Sequence, residues 1–101
     1  MGLNRNRGNE FERWLAKQVG VTRTGHFGVG DVVTKRTVYE CKERQVLPKF
    51  LKDAVAQAER HRTDKDQMAV AAFHQHGRPH GEDLVVMRLD EFLLWHGEDQ
   101  A

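Results

Sequence analysis

One cysteine in 101 residues excludes an internal disulfide, so stability must come from burial and hydrogen bonding, as suits a reducing compartment. Long apolar runs are equally lacking. None approaches the roughly 18 residues needed to cross a membrane, and the opening MGLNRNRGNE has no apolar stretch of the signal-peptide kind. The expectation is a soluble, cytoplasmic protein. Repeats and low-complexity tracts are absent too, and the length predicts one domain over 1–101, small enough that a second copy would add useful burial.

Net charge is also scarce, at +1, but it is unevenly spread. Residues 1–62 hold 13 Lys or Arg against 7 Asp or Glu, a balance of +6, whereas residues 63–101 hold 3 against 8, a balance of −5. Such asymmetry predicts a basic face able to track phosphates and an acidic end.

The apolar periodicity predicts the order α-β-β-α-β-β-α. Asn9 suits the N-cap of a first helix running to about Val19 and closed by Gly20, with Phe11, Trp14, Leu15 and Val19 on one face. The glycine-rich GHFGVG follows and reads as a loop, with no phosphate-binding Gly-Lys-Ser/Thr after it. Pro48 suits the first turn of a second helix in which Leu51, Ala54, Val55 and Ala58 repeat at helical spacing to about Arg62. Beyond the polar TDKD turn, QMAVAAFH and DLVVMRL read as strands joined by GRPHG, and Asp90 reads as the N-cap of a last helix that frays after Gly97. A mixed central sheet flanked by helices follows from this order. A split-βαβ arrangement or a small α+β binding module are the alternatives.

Chemistry concentrates in GDVVTKRTVYECKER. If Val32 to Thr34 and Thr37 to Lys42 are strands joined at Lys35 and Arg36, then Thr34 faces Thr37, Val33 faces Val38 and Asp31 faces Glu40. Facing carboxylates have Cβ atoms roughly 5 Å apart and repel unless something compensates. A hard divalent cation would do so, since Mg²⁺ is held by one or two carboxylates plus waters and phosphate oxygens. Strand alternation puts Lys42 on the same face as Glu40, with Tyr39 and Cys41 on the other. Carboxylates, cation and lysine together suit phosphodiester hydrolysis, which needs an acidified water, a stabilised phosphorane-like transition state and a neutralised leaving oxygen. A solvent-facing hairpin with alternating charges is the plain alternative.

Asp31, eight intervening residues, Glu40, one residue and Lys42 resemble the core of the PD-(D/E)xK nuclease superfamily, with Gly30 in place of the family's proline. Gly8-Asn9-Glu10-Phe11-Glu12-Arg13 looks like the Gly-x-x-x-Glu-Arg opening of archaeal and phage Holliday junction resolvases. Gln57-Ala58-Glu59-Arg60 and Val85-Val86-Met87-Arg88-Leu89-Asp90-Glu91-Phe92 extend the resemblance over most of the chain. It implies a restriction-endonuclease-like fold and four catalytic residues, Glu12, Asp31, Glu40 and Lys42. It also implies Mg²⁺, with Mn²⁺ able to substitute, bound by Asp31, Glu40 and the Cys41 backbone carbonyl, with Glu12 completing the acidic cluster. Helix geometry does not choose between Glu10 and Glu12, and the family pattern selects Glu12. Gln57 matches an accessory glutamine of related nucleases. Lys42 would orient or help deprotonate the attacking water, and a phage origin would place the protein in the host cytoplasm.

The remaining cations read as DNA contacts. Arg5 and Arg7 fall in a segment, 1–8, expected as a flexible basic arm, and Arg13, Lys35, Arg36, Arg44, Lys49 and Lys52 are expected to extend the basic surface. His74, His76 and His80 are candidates for a transition-metal site, but with no cysteine or acidic ligand at suitable spacing they read as exposed loop residues. Cys41 reads as a small core residue, and Trp14 and Trp95 as core or dimer-interface residues. The expected function is a homodimeric, metal-dependent endonuclease that resolves four-way DNA junctions by paired symmetric cleavage. The alternatives are a nicking or repair-type DNA endonuclease of the same fold, and a catalytically silent nucleic-acid-binding module.

Overall fold

The computed structural model describes the backbone of residues 2–21 and 31–97, with side chains from Glu10 onward within those ranges. The expected GHFGVG loop, Gly30 included, lies outside the described residues, as do the side chains of Arg5 and Arg7. The elements are α1 (Gly2–Val19), β1 (Val32–Val33), β2 (Val38–Tyr39), α2 (Lys49–Arg60), β3 (Ala71–Phe73), a 3₁₀ turn (His80–Glu82), β4 (Leu84–Val86) and α3 (Leu89–His96). Among the described residues no helix is long and apolar enough to cross a membrane.

Helices and strands alternate in the expected order, but the single mixed central sheet is not formed among the described residues. The strands instead make two antiparallel pairs, β1 with β2 and β3 with β4. Each strand is only two or three residues long, well short of the expected spans. A two-stranded ribbon needs packing against another element to persist. Here α1 lies against β1, and α2 against β3. The chain divides into two compact units, residues 1–45 with 97–101 and residues 46–96.

In the first unit, α1 starts at Gly2, so the backbone of the segment expected as an arm is helical and Asn9 is not its cap. Leu3, Arg5 and Arg7 are good helix formers, and no proline interrupts them. The C-terminus is as expected. Gly20 adopts φ +76°, and the Val21 N–H donates to the Ala16 carbonyl at 3.0 Å, the six-to-one bond of a Schellman ending. Leu15, Ala16 and Val19 are buried, as is Val32 of β1, whereas Trp14 is 47% exposed and so is not a core residue.

The hairpin register is the expected one, with Val32 facing Tyr39 and Val33 facing Val38. Its turn departs from the primed forms: two-residue hairpin loops that follow strand twist need φ > 0 at one or both central residues, and no described non-glycine residue has positive φ. Thr34 closes the loop instead. Its N–H donates to the Thr37 carbonyl at 2.9 Å, while its Oγ1 accepts from the N–H groups of Arg36 at 3.2 Å and Thr37 at 3.0 Å.

In the second unit Pro48 precedes α2, and its carbonyl accepts from the Leu51 N–H at 3.2 Å. Leu51, Ala54, Val55 and Ala58 are all half-buried on α2, and Phe50 meets Phe73 edge to face at 5.7 Å. β3 and β4 pair with Ala71 facing Val86 and Phe73 facing Leu84. Ala69, Ala71 and Leu93 are buried. The last helix begins at Leu89, and the Arg88 carbonyl takes its first N–H, that of Phe92, at 2.9 Å. Asp90 therefore lies in the first turn and not at the cap, where it pairs with Arg88 at 2.7 Å. Trp95 is 44% exposed and, like Trp14, lies outside the core.

Glu91 ties this unit together. Its Oε2 accepts from Arg62 Nη1 at 2.9 Å and from the Ala69 N–H at 3.0 Å, with only 11% of its side chain exposed. One carboxylate thereby fixes the chain just after α2, the approach to β3 and the start of α3. The spacing of 29 residues between Arg62 and Glu91 hid this link from sequence reading.

Candidate functional site

The mouth of the β1–β2 hairpin gathers the acidic groups expected there. Asp31 stands just ahead of β1, and its N–H donates to the Tyr39 carbonyl at 2.9 Å. A ladder continuing in register would carry Asp31 on to face Glu40. Instead Asp31 and Val32 both lie against Tyr39, the two-against-one pattern of a β-bulge. Bulges re-aim side chains, and this one aims the Asp31 carboxylate along the neighbouring strand. Its Oδ2 accepts from the Cys41 N–H at 2.6 Å, a charge-assisted bond that fixes the carboxylate's position.

Cys41 lies within this acidic group. It is half-buried, not a core residue. Burial pushes its thiol up, and the carboxylates of Asp31, Glu12 and Glu40 push it further in the same direction, from 9.0 to about 11. The thiol thus senses three carboxylates from three places in the chain: α1, the start of β1 and the end of β2. Glu12, half-buried on α1, is the one that α1 packing against β1 delivers.

Lys42 joins from the same strand exit. Its Nζ lies 3.9 Å from Glu40 Oε2, and the two side chains are 65% and 62% exposed. So loose and exposed an ion pair contributes little to stability. Asp31 is thus joined to Cys41 and Glu40 to Lys42, while Glu12 acts on the Cys41 thiol from α1; among the described residues the ligand atoms of Glu12, Asp31 and Glu40 do not close into a metal-sized group. Their donors are hard oxygens beside one ammonium, a set suited to Mg²⁺ or Mn²⁺ and poorly suited to softer ions.

The expected DNA-contacting cations are distributed more widely. Arg13 on α1, Lys35 and Arg36 at the hairpin tip and Arg44 beyond it are exposed in the first unit. Arg44 Nη1 donates to the Glu43 carbonyl at 2.9 Å. Lys49, Lys52 and Gln57 are exposed on α2, in the second unit. Lys49 is held by Asp53 at 2.6 Å, and that hydrogen bond raises its pKa.

The sequence marked His74, His76 and His80 as candidate ligands but showed no acidic partner for them; the structure supplies Asp83 and leaves out His76. In the β3–β4 hairpin His74, His80 and Asp83 come together, with ligand atoms all within 4.8 Å of one another. The signal was available in the register: with Phe73 facing Leu84, the next pair outward is His74 with Asp83. Comparison of the chain with family models, with curated proteins and with solved structures finds no match.

Proposed function

We propose that this chain is a metal-dependent endonuclease of the PD-(D/E)xK type that resolves four-way DNA junctions by paired, symmetric phosphodiester cleavage. The observation that supports the reading is the placement of Asp31 against the Cys41 N–H at 2.6 Å on the strand that carries Glu40 and Lys42, with Lys42 at 3.9 Å from Glu40. Carboxylate oxygens are the donors that a hard divalent ion takes, and drawing Glu12, Asp31 and Glu40 in around one would offset their mutual repulsion. Asp31 and Glu40, with Glu12 and the Cys41 carbonyl as further oxygen donors, would hold Mg²⁺ or Mn²⁺. Such an ion, when bound, acidifies water and neutralises charge on a phosphoryl oxygen.

The chain's own groups have separate tasks. The Asp31 carboxylate is oriented by the Cys41 N–H. Lys42 offers an ammonium that can hold the attacking water by hydrogen bond and offset charge developing on the phosphate. Arg13, Lys35, Arg36 and Arg44 supply backbone contacts that position DNA without reading sequence. Two symmetric nicks in one junction require two sites, which a two-fold homodimer provides. Cleavage in this chemistry leaves a 5′-phosphate and a 3′-hydroxyl.

The test is cleavage of an end-labelled four-way junction beside a linear duplex of the same sequence, with Mg²⁺ or with EDTA. Paired nicks in the junction alone, dependent on Mg²⁺, are expected. Equal cutting of both substrates would replace the resolvase reading with a general nuclease, and tight binding without cutting would replace it with a silent DNA-binding module.

A further inference from the structure

The β3–β4 hairpin carries a second constellation, with a different donor chemistry, which the proposed cleavage does not use. His74 follows β3 and Asp83 precedes β4, so the register that pairs Phe73 with Leu84 sets them opposite each other. His74 Nδ1 lies 2.7 Å from Asp83 Oδ1. Two successive turns return the chain so that a second imidazole reaches the same carboxylate. The first is closed by the Arg78 N–H on the Gln75 carbonyl at 3.1 Å, with Gly77 at φ +86°. The second is the 3₁₀ turn, where the Asp83 N–H donates to the His80 carbonyl at 3.0 Å. Arg78 and Glu82, paired at 2.7 Å, brace the loop. His80 Nδ1 then lies 3.0 Å from Asp83 Oδ2, and the two imidazole rings sit 4.2 Å apart with planes 32° from parallel.

We propose that His74, His80 and Asp83 form a binding site for a borderline divalent transition ion of the Zn²⁺ class. Two imidazoles and one carboxylate make the donor set of three-ligand zinc sites that leave a position for water or another ligand. Imidazole nitrogens also discriminate against Mg²⁺ and Ca²⁺, which take oxygen. Distances favour a small adjustment over a rebuilding. Zinc bonds of about 2.0–2.1 Å place tetrahedral ligand atoms about 3.3 Å apart. The present separations of 2.7 Å to Asp83 Oδ1 and 3.0 Å to Oδ2 are hydrogen-bond lengths, a few tenths of an ångström shorter, and all three ligand atoms lie within 4.8 Å of one another. His76, on the same loop, is not part of the group.

The site stands independently of the proposed nuclease reaction, and its test needs no cleavage. Zn²⁺ is titrated into the full chain by calorimetry in the presence of excess Mg²⁺, and the histidine ring resonances are followed by NMR. One equivalent is expected to bind, shifting the rings of His74 and His80. His74→Ala, His80→Ala and Asp83→Asn should each weaken binding by about tenfold or more. His76→Ala, Asp31→Asn and Glu40→Gln should leave it unchanged. His80 is 82% exposed, so its removal spares the packing, and circular dichroism verifies that each variant is folded. Absence of saturable binding, wild-type affinity in His80→Ala or Asp83→Asn, or loss of binding in Asp31→Asn would each overturn the proposal.

Discussion

The two hairpins of this chain use one device with opposite donor chemistry. In both, side chains gather just past the last facing pair of an antiparallel ladder only two or three residues long, at the open end of β1–β2 and at the loop end of β3–β4. At the first the carboxylates are those of Asp31 and Glu40, with Glu12 acting from α1. At the second the groups are two imidazoles on one carboxylate. The register breaks at a bulge in the first and continues from Phe73–Leu84 to His74–Asp83 in the second. A short ladder places each group together with one further element: α1 packed on β1 in the first hairpin, and the 3₁₀ turn of the connecting loop in the second.

The largest effects should come from breaking the first mouth. Asp31→Asn, Glu40→Gln and Lys42→Met should each lower cleavage of a four-way junction by at least about a hundredfold, the scale of losing one group that stabilises a charged transition state. Junction affinity, measured in EDTA by gel shift, should hold or rise in the two carboxylate variants, because less negative charge then faces phosphate. The His74→Ala, His80→Ala and Asp83→Asn variants, weakened for Zn²⁺, should cleave at the wild-type rate. That contrast separates the two groups.

Cys41 reports on the first mouth without any substrate. A thiol raised to about 11 has about a hundredth of the ordinary thiolate fraction near pH 8, partly offset by greater intrinsic nucleophilicity. Reaction with a disulfide reagent should be about tenfold slower than for an unfolded chain. Glu12→Gln or Asp31→Asn should each recover part of the rate. The sign for stability follows from linkage. The folded thiol keeps its proton longer than the unfolded thiol, so this contribution is complete below pH 9.0 and is lost as pH rises towards about 11. Denaturant midpoints measured across that window should fall with rising pH, and less steeply in Cys41→Ser.

The smallest effect concerns the second unit's frame. Glu91→Ala leaves the Ala69 N–H and Arg62 without their acceptor and should cost about 1–3 kcal/mol, read as a lowered thermal midpoint. Glu91→Gln should recover part of that loss, since its amide oxygen still accepts from Ala69.

Much of this was legible in the chain because the informative signals were local. The register of the first hairpin followed from the two residues between Thr34 and Thr37, and Gly20 marked the end of α1. Pro48 marked the start of α2 in the same way. What escaped depended on geometry that spacing does not encode. The bulge at Asp31 sets two residues against Tyr39, a pattern that no single residue announces. Strand lengths were overestimated because apolar runs such as QMAVAAFH show where a strand can form, not how far its partner follows. The third ligand of the histidine group was hidden because Asp83 becomes the partner of His74 only once the β3–β4 register is fixed.

The most direct measurement is a single-turnover junction-cleavage assay in Mg²⁺, run in parallel on the wild type, Glu40→Gln and His74→Ala. Paired nicks by wild type and His74→Ala, with none by Glu40→Gln despite retained junction binding, are the predicted result. Cleavage by Glu40→Gln at the wild-type rate would contradict the assignment of chemistry to the acidic mouth of the first hairpin.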